Sequence, residues 1–247
     1  MHRLTAMLIV ITFAFAAMPL AAATDDAGER TDGHHAVIVL TNHGELGHTG
    51  EPTGYYLPEA AHPWKVLTDA GFTVTFASPR GGAAPMDPAS RDRSDEVNAV
   101  FLDDPEVQNA LDHTVPLAEI DAEGVDALVF AGGHGTMWDL PSNRVVGDAI
   151  VSVHEAGGVV AAVCHGPACF VGVVDQSGRP FVRGRKLAAF TNAEERAVKK
   201  DAVVPFMLET RLVELGAEVV TAPNFQEQVV VDGRVVTGQN PASAVKM

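Results

Sequence analysis

Apolar residues in this chain fall into short runs separated by polar, glycine-rich stretches, and the runs follow two periods. His35–Thr41 (HAVIVLT), Val125–Gly133 (VDALVFAGG) and Val159–Cys164 (VVAAVC) are nearly continuous and β-branched, the pattern of strands buried on both faces. Phe72–Ser78 alternates as a further strand, and Lys186–Thr191 and Ala217–Ala222 are shorter strand-like runs. Between them, Pro58–Gly71 carries Trp64, Leu67 and Ala70 on one helical face and ends at a glycine. Asn143–Gly158 repeats apolar residues at intervals of three and four through Val146, Ala149, Ile150 and Val153. Val204–Gly216 has proline in its first turn and glycine at its end, and Gln228–Gly238 reads as a hairpin around an Asp232-Gly233 turn. Strands alternating with helices predict a flavodoxin-like, doubly wound α/β sheet, mostly parallel, with helices on both faces and a late β-hairpin. No linker or repeat interrupts residues 35–247, which are expected to form a single domain.

The start of the chain does not fit that pattern. Arg3, an apolar stretch from about Ala6 to Leu20 and then Ala21-Ala22-Ala23 have the layout of a secretory signal with an A-x-A cleavage site, so residues 1–23 are expected to be a signal peptide. Residues 24–34, acidic and glycine-containing, suit a flexible mature N-terminus. The expectation is therefore an exported protein, periplasmic or secreted, with no stable membrane insertion after cleavage. Export favours disulfides, but Cys164 and Cys169 are the only cysteines, and five residues of helix separate them too far for an unstrained bridge.

Charge narrows the classes of partner. At 247 residues, with a net charge of −15 and 47% hydrophobic residues, the chain is globular and lacks the basic face that a nucleic acid requires. His34, His35, His43 and His48 fit no compact ligand set, so no metal is expected from them.

Chemistry is concentrated after the carboxyl ends of the strands, where open parallel sheets hold their ligands. The run Val159–Val163 stops at Cys164-His165-Gly166-Pro167, and a strand–turn–helix elbow is where α/β enzymes expose a nucleophile. Gly166 allows a tight turn, Pro167 starts a helix, and the positive end of that helix favours thiolate. Cys169, beside Phe170, reads as core. Gly132–Gly135 (GGHG), after another strand, offers backbone N–H groups to an oxyanion. His165 could serve as base if a carboxylate orients it, and Glu194 and Glu195 follow the Lys186–Thr191 run in position to supply one; the same acids also suit an ordinary helix start.

These segments, together with TGYYLPEAAHPW, FTVTFASPRGG, PMDPAS and VTGQNPASA, resemble the DJ-1/PfpI superfamily, and within it the Hsp31-like branch, itself similar to class I glutamine amidotransferase domains. The resemblance runs from about residue 35 to 244. It implies Cys164 as nucleophile, His165 as its neighbour in a triad, Glu195 in preference to Glu194 as the acid, and Glu59 as a proton-shuttling carboxyl beside the cysteine. Gly133 and His134 would form the oxyanion site. Apolar neighbours of Glu59 would raise its pKa into a range useful for proton transfer. The implied activity is glutathione-independent conversion of methylglyoxal or a related α-oxoaldehyde to its hydroxy acid, with a small carbonyl substrate and no metal or organic cofactor. Alternatives within the superfamily are a stress-related holdase and a cysteine hydrolase. The resemblance also admits a homodimer, and relatives usually continue past this point into a longer C-terminal helix.

Overall fold

In the computed structural model, residues 33–247 are described and form one compact unit. The signal peptide and most of the expected mature N-terminus, residues 1–32, lie outside the described residues. In chain order the unit contains β1 (His35–Val39), α1 (Leu57–Asp69), β2 (Thr73–Ser78), α2 (Glu96–Asp103), α3 (Pro105–Asp112), β3 (Val115–Pro116), β4 (Ala127–Phe130), α4 (Thr136–Asp139), α5 (Arg144–Glu155) and β5 (Val159–Val163). It continues with β6 (Lys186–Leu187), α6 (Asn192–Ala197), α7 (Leu208–Glu214), β7 (Glu218–Val219), β8 (Val229–Asp232) and β9 (Val235–Gly238). None of these helices is long and apolar enough to cross a membrane.

The main sheet has the order β3-β2-β1-β4-β5-β9-β8 and is parallel throughout except for the β8–β9 hairpin at its edge. Alternation along each strand divides the core in two. Val37 and Val39 of β1, with Leu128 and Phe130 of β4, pack with Ile150 and Val153 of α5. Ile38 and Leu40 point the other way, with Val129, toward Leu57 and Ala60 of α1 and Phe101 of α2. A residue shifted by one along β1 would change layers, so the register His35↔Thr73 through Val39↔Ala77 is set by burial on both sides.

The structure departs from the sequence expectation in identifiable places. Lys186–Thr191 and Ala217–Ala222 do not join the main sheet; only two residues of each pair, as β6 with β7, in a separate two-stranded ribbon. In the hairpin, Asp232 pairs with Val235, so the turn residues are Gly233 and Arg234 rather than Asp232 and Gly233. The buried face of α1 is Leu57, Ala60, Ala61 and Pro63, with Trp64 and Leu67 partly covered and Ala70 exposed. Residues 93–124, which carry no strong apolar period, fold into α2 and α3, capped by the side chains of Asp95 and Asp104 on the backbone N–H groups that follow them.

Phe101 of α2 is fully buried and meets Trp64 and Phe76 edge to face, with centroids 5.4 Å and 5.8 Å away. Phe101→Ala is expected to lower unfolding free energy by about 3–5 kcal/mol in urea melts; a loss under about 1 kcal/mol would contradict this placement.

Candidate active site

β5 ends at Val163, and the next residue, Cys164, has a φ of 60°, in the left-handed region that few side chains adopt. The surrounding backbone holds it there. The Cys164 N–H donates to the Gly238 carbonyl at 2.9 Å, and the Cys164 carbonyl accepts from Phe190 N–H at 2.8 Å. The chain then enters a short 3₁₀ turn, Gly166–Phe170, instead of the α-helix expected after Pro167. The strain therefore sits on the cysteine itself. Gly166 serves a different purpose from the one its sequence position suggested: a Cβ there would stand 2.5 Å from the Phe130 carbonyl oxygen, so only glycine lets the turn pack against β4.

The sulfur lies 3.3 Å from Nδ1 of His165. Nε2 of His165 is 2.7 Å from Oε2 of Glu195, and the other oxygen of that carboxylate, Oε1, is 2.9 Å from Nε2 of His134. Glu195 is in the first turn of α6, where Thr191 and Glu194 form a reciprocal capping box. That cap separates the two acids. Glu194 turns away to accept from Thr191, Phe225 N–H, Gln239 and Asn240, while Glu195 faces the two imidazoles. Burial alone would raise the Glu195 pKa, but the hydrogen bonds and charge of His134 and His165 hold it at about 2. An ionised carboxylate only accepts, so both imidazoles donate from Nε2, and a neutral His165 presents a bare Nδ1 to the thiol. Burial, with repulsion from His165, lowers the His134 pKa to about 4, so that ring is neutral near pH 7.

Glu59, in the first turn of α1, is fully buried. Neither of its oxygens completes a hydrogen bond of full geometry. Burial raises its pKa to about 8, against a smaller opposing pull from the Cys164 thiol and the Gly132 amide. Gly132 makes this approach possible, because a Cβ there would collide with Glu59 Oε2 and the Val163 carbonyl. The same burial, and the nearby carboxyl, push the Cys164 thiol well above its usual pKa. This corrects the thiolate expected from the sequence: desolvation outweighs a 3₁₀ turn too short to offer much dipole. The resting pair is a thiol beside a neutral carboxyl.

Although nearly buried, the sulfur lines a cleft of about 250 Å³ together with Tyr56, Gly133, His134, Phe190 and Lys200. Among the described residues, the backbone N–H groups of Gly133 and His134 are given to no oxygen, so they remain available at the cleft. Cys164, His165, Glu195, Glu59, Gly133 and His134 are thus brought together. The side chain of His134 was missed by sequence reasoning, which considered only its backbone; a histidine just past a buried strand beside the elbow was the available signal. His134, His165 and Glu195 are also the group among the described residues that could hold a metal ion, their donor atoms all lying within 4.8 Å. Other histidines singled out in the sequence are engaged elsewhere: His34 stacks on Phe72, His35 of β1 lies against Thr75, and His43 lies on the Glu45 carbonyl and Trp138. Cys164 and Cys169 are both free, and Cys169 packs in the core.

Comparison with known proteins gives a consistent result. The family model for the DJ-1/PfpI family matches residues 53–247. Glyoxalase 3 of Candida albicans is 30% identical, with 85% of this chain and 93% of the relative covered. The glutathione-independent glyoxalase HSP31 of Saccharomyces cerevisiae is also 30% identical, over 84% and 92%. Among solved structures, the Rapid Encystment Protein 24 kDa of Francisella tularensis superposes with a TM-score of 0.84 at 36% identity, covering 87% of this chain and 95% of that one. Glyoxalase III of Candida albicans superposes at 0.80 and 30% identity, covering 86% and 93%.

A carboxyl neutral when folded and ionised when unfolded has a definite linkage sign. Between about pH 4.5 and 8 the folded state binds the extra proton, so the Glu59 contribution to stability is greatest at low pH and declines as pH rises through about 8. Glu59→Gln mimics the neutral acid. Its melting temperature relative to wild type is expected to climb between pH 6 and pH 9; a difference independent of pH would contradict a buried neutral Glu59.

Proposed function

The chain belongs to the DJ-1/PfpI family, and from that premise and the chemistry of its cleft we propose that it is a glutathione-independent glyoxalase, converting an α-oxoaldehyde such as methylglyoxal to the hydroxy acid through a cysteine hemithioacetal. The observation that carries the reading is the Glu59 carboxyl, tuned to about 8 and packed against an elbow thiol. An internal proton transfer between neighbouring carbons needs a base of that strength, held dry beside a nucleophile.

The steps balance without an oxidant. The Cys164 sulfur attacks the aldehyde carbon as its proton passes to Nδ1 of His165 and on to the new oxygen, giving a hemithioacetal. Ionised Glu59 removes the hydrogen left on that carbon, giving an enediolate; the hydroxyl proton on that carbon shifts to the neighbouring oxygen, and Glu59 returns its proton to the adjacent carbon, leaving a thioester. Water hydrolyses the thioester, releasing the hydroxy acid and the thiol. Glu195 holds His165 in the tautomer that can accept, and the N–H groups of Gly133 and His134 stabilise the oxyanion. The cleft suits a small substrate, being below the ~300–1,000 Å³ common for drug-sized ligands. We also propose that the mature chain works outside the cytoplasm; the layout of residues 1–23 supports this.

Purified protein is expected to consume methylglyoxal and release lactate. Cys164→Ala and Glu59→Gln should each lower kcat/KM by at least about 10³-fold, since each removes a group that makes or breaks a bond. Because the ionised form of Glu59 is the base, kcat/KM should rise with pH through about 8. Turnover surviving Cys164→Ala would overturn the mechanism. Suppression of aggregation that survives the same substitution, without turnover, would favour a holdase.

A further inference from the structure

Lys200 is the cation of the cleft, and its position is built rather than incidental. Lys199 takes a left-handed φ of 58°, turning the chain back after α6. The Lys200 N–H then donates to the Glu195 carbonyl at 3.1 Å, while its own carbonyl accepts from Val203 and Val204 at 2.9 Å and 3.0 Å. The residue whose carboxylate fixes both imidazoles therefore also anchors the backbone of Lys200. The half-buried side chain lines the cleft alongside Cys164 and His134, and its charge reaches the His134 ring.

No carboxylate claims it. Lys65, Lys186 and Lys246 each sit on an acidic side chain, but among the described residues the Lys200 ammonium has neither an ion pair nor a hydrogen bond. In a chain of net charge −15, Lys200 is the one lysine or arginine among the described residues lining the cleft. The acids nearby are already engaged: Asp87 accepts from Thr53 and Ala89, and Glu195 from the two histidines. An ammonium that offers three donors and makes no hydrogen bond to a protein acceptor can take an anion from solution.

We propose that Lys200 makes the mouth of the cleft an anion subsite, so that the preferred substrates are α-oxoaldehydes whose far end carries a carboxylate or a phosphate. The proposal deepens the glyoxalase reading and rests on it for the aldehyde, but the anion subsite can be tested without turnover. Iodoacetate and iodoacetamide are near-isosteric alkylating agents that differ by one charge. Their rates at Cys164, followed by mass spectrometry of the peptide that carries it, report an anion's access to the sulfur. Lys200→Met is expected to lower the iodoacetate-to-iodoacetamide ratio about tenfold, the scale of one hydrogen bond to a charged group, and Lys200→Arg to retain most of it. Protection of wild-type Cys164 by acetate or by inorganic phosphate, lost in Lys200→Met, distinguishes a carboxylate site from a phosphate site. In turnover, Lys200→Met should lower kcat/KM for 4-carboxyphenylglyoxal about tenfold more than for phenylglyoxal. A ratio within about twofold of wild type in the alkylation, or equal losses on the two aldehydes, would overturn the proposal. A fall in the alkylation ratio with neither aldehyde turned over by wild type would leave the subsite standing and remove the glyoxalase reading.

Discussion

A carboxyl buried against a thiol is the constraint on which the site depends. Water would ionise Glu59 at ordinary pH; packing between α1, Gly132 and the end of β5 keeps its proton on until about pH 8. The same dryness holds Cys164 as a thiol. Neither group is ionised at rest, and the sulfur has a base within reach. His165 faces the sulfur from 3.3 Å, with its other nitrogen committed to Glu195. Deprotonation of the nucleophile and of the substrate carbon can thus be assigned to different groups, which avoids asking one side chain to act twice in the same step.

The fold provides this arrangement at its parallel edge. Elements far apart in sequence deliver its groups: α1 gives Glu59, the segment after β4 gives Gly133 and His134, the turn after β5 gives Cys164 and His165, and α6 gives Glu195. The left-handed cysteine is tolerated because Gly238 of β9 and Phe190 bond its backbone from opposite partners. The late hairpin is therefore part of the site's support, since it places β9 beside β5.

Much of this was legible in the residues, for physical reasons. Strands buried on both faces must be apolar at every position, so β1, β4 and β5 announced themselves; short, amply capped helices in a polar stretch need no such signal, and α2 and α3 gave none. Cys164 stood out because an apolar run ended at a reactive group. Glu59 was named by family resemblance and supported by its apolar neighbours in sequence, but its contacts with Gly132 and the end of β5 are encoded by no local pattern. The choice between Glu194 and Glu195 was open in the bare sequence, where both read as helix-start acids. Capping geometry divides them, one toward Thr191 and Asn240 and the other toward the imidazoles. The resting state of the sulfur was misjudged because the sequence suggested an α-helix dipole where five residues form a 3₁₀ turn.

A ¹³C NMR titration of the Glu59 side-chain carboxyl, assigned by comparison with Glu59→Gln, tests the central claim most directly. A midpoint near 8, moving when Cys164 is replaced by alanine, is the expected result. A midpoint near 4.5, the ordinary value for a glutamate, would mean that the carboxyl is solvated and charged, and that the proposed proton transfer has no base of the required strength.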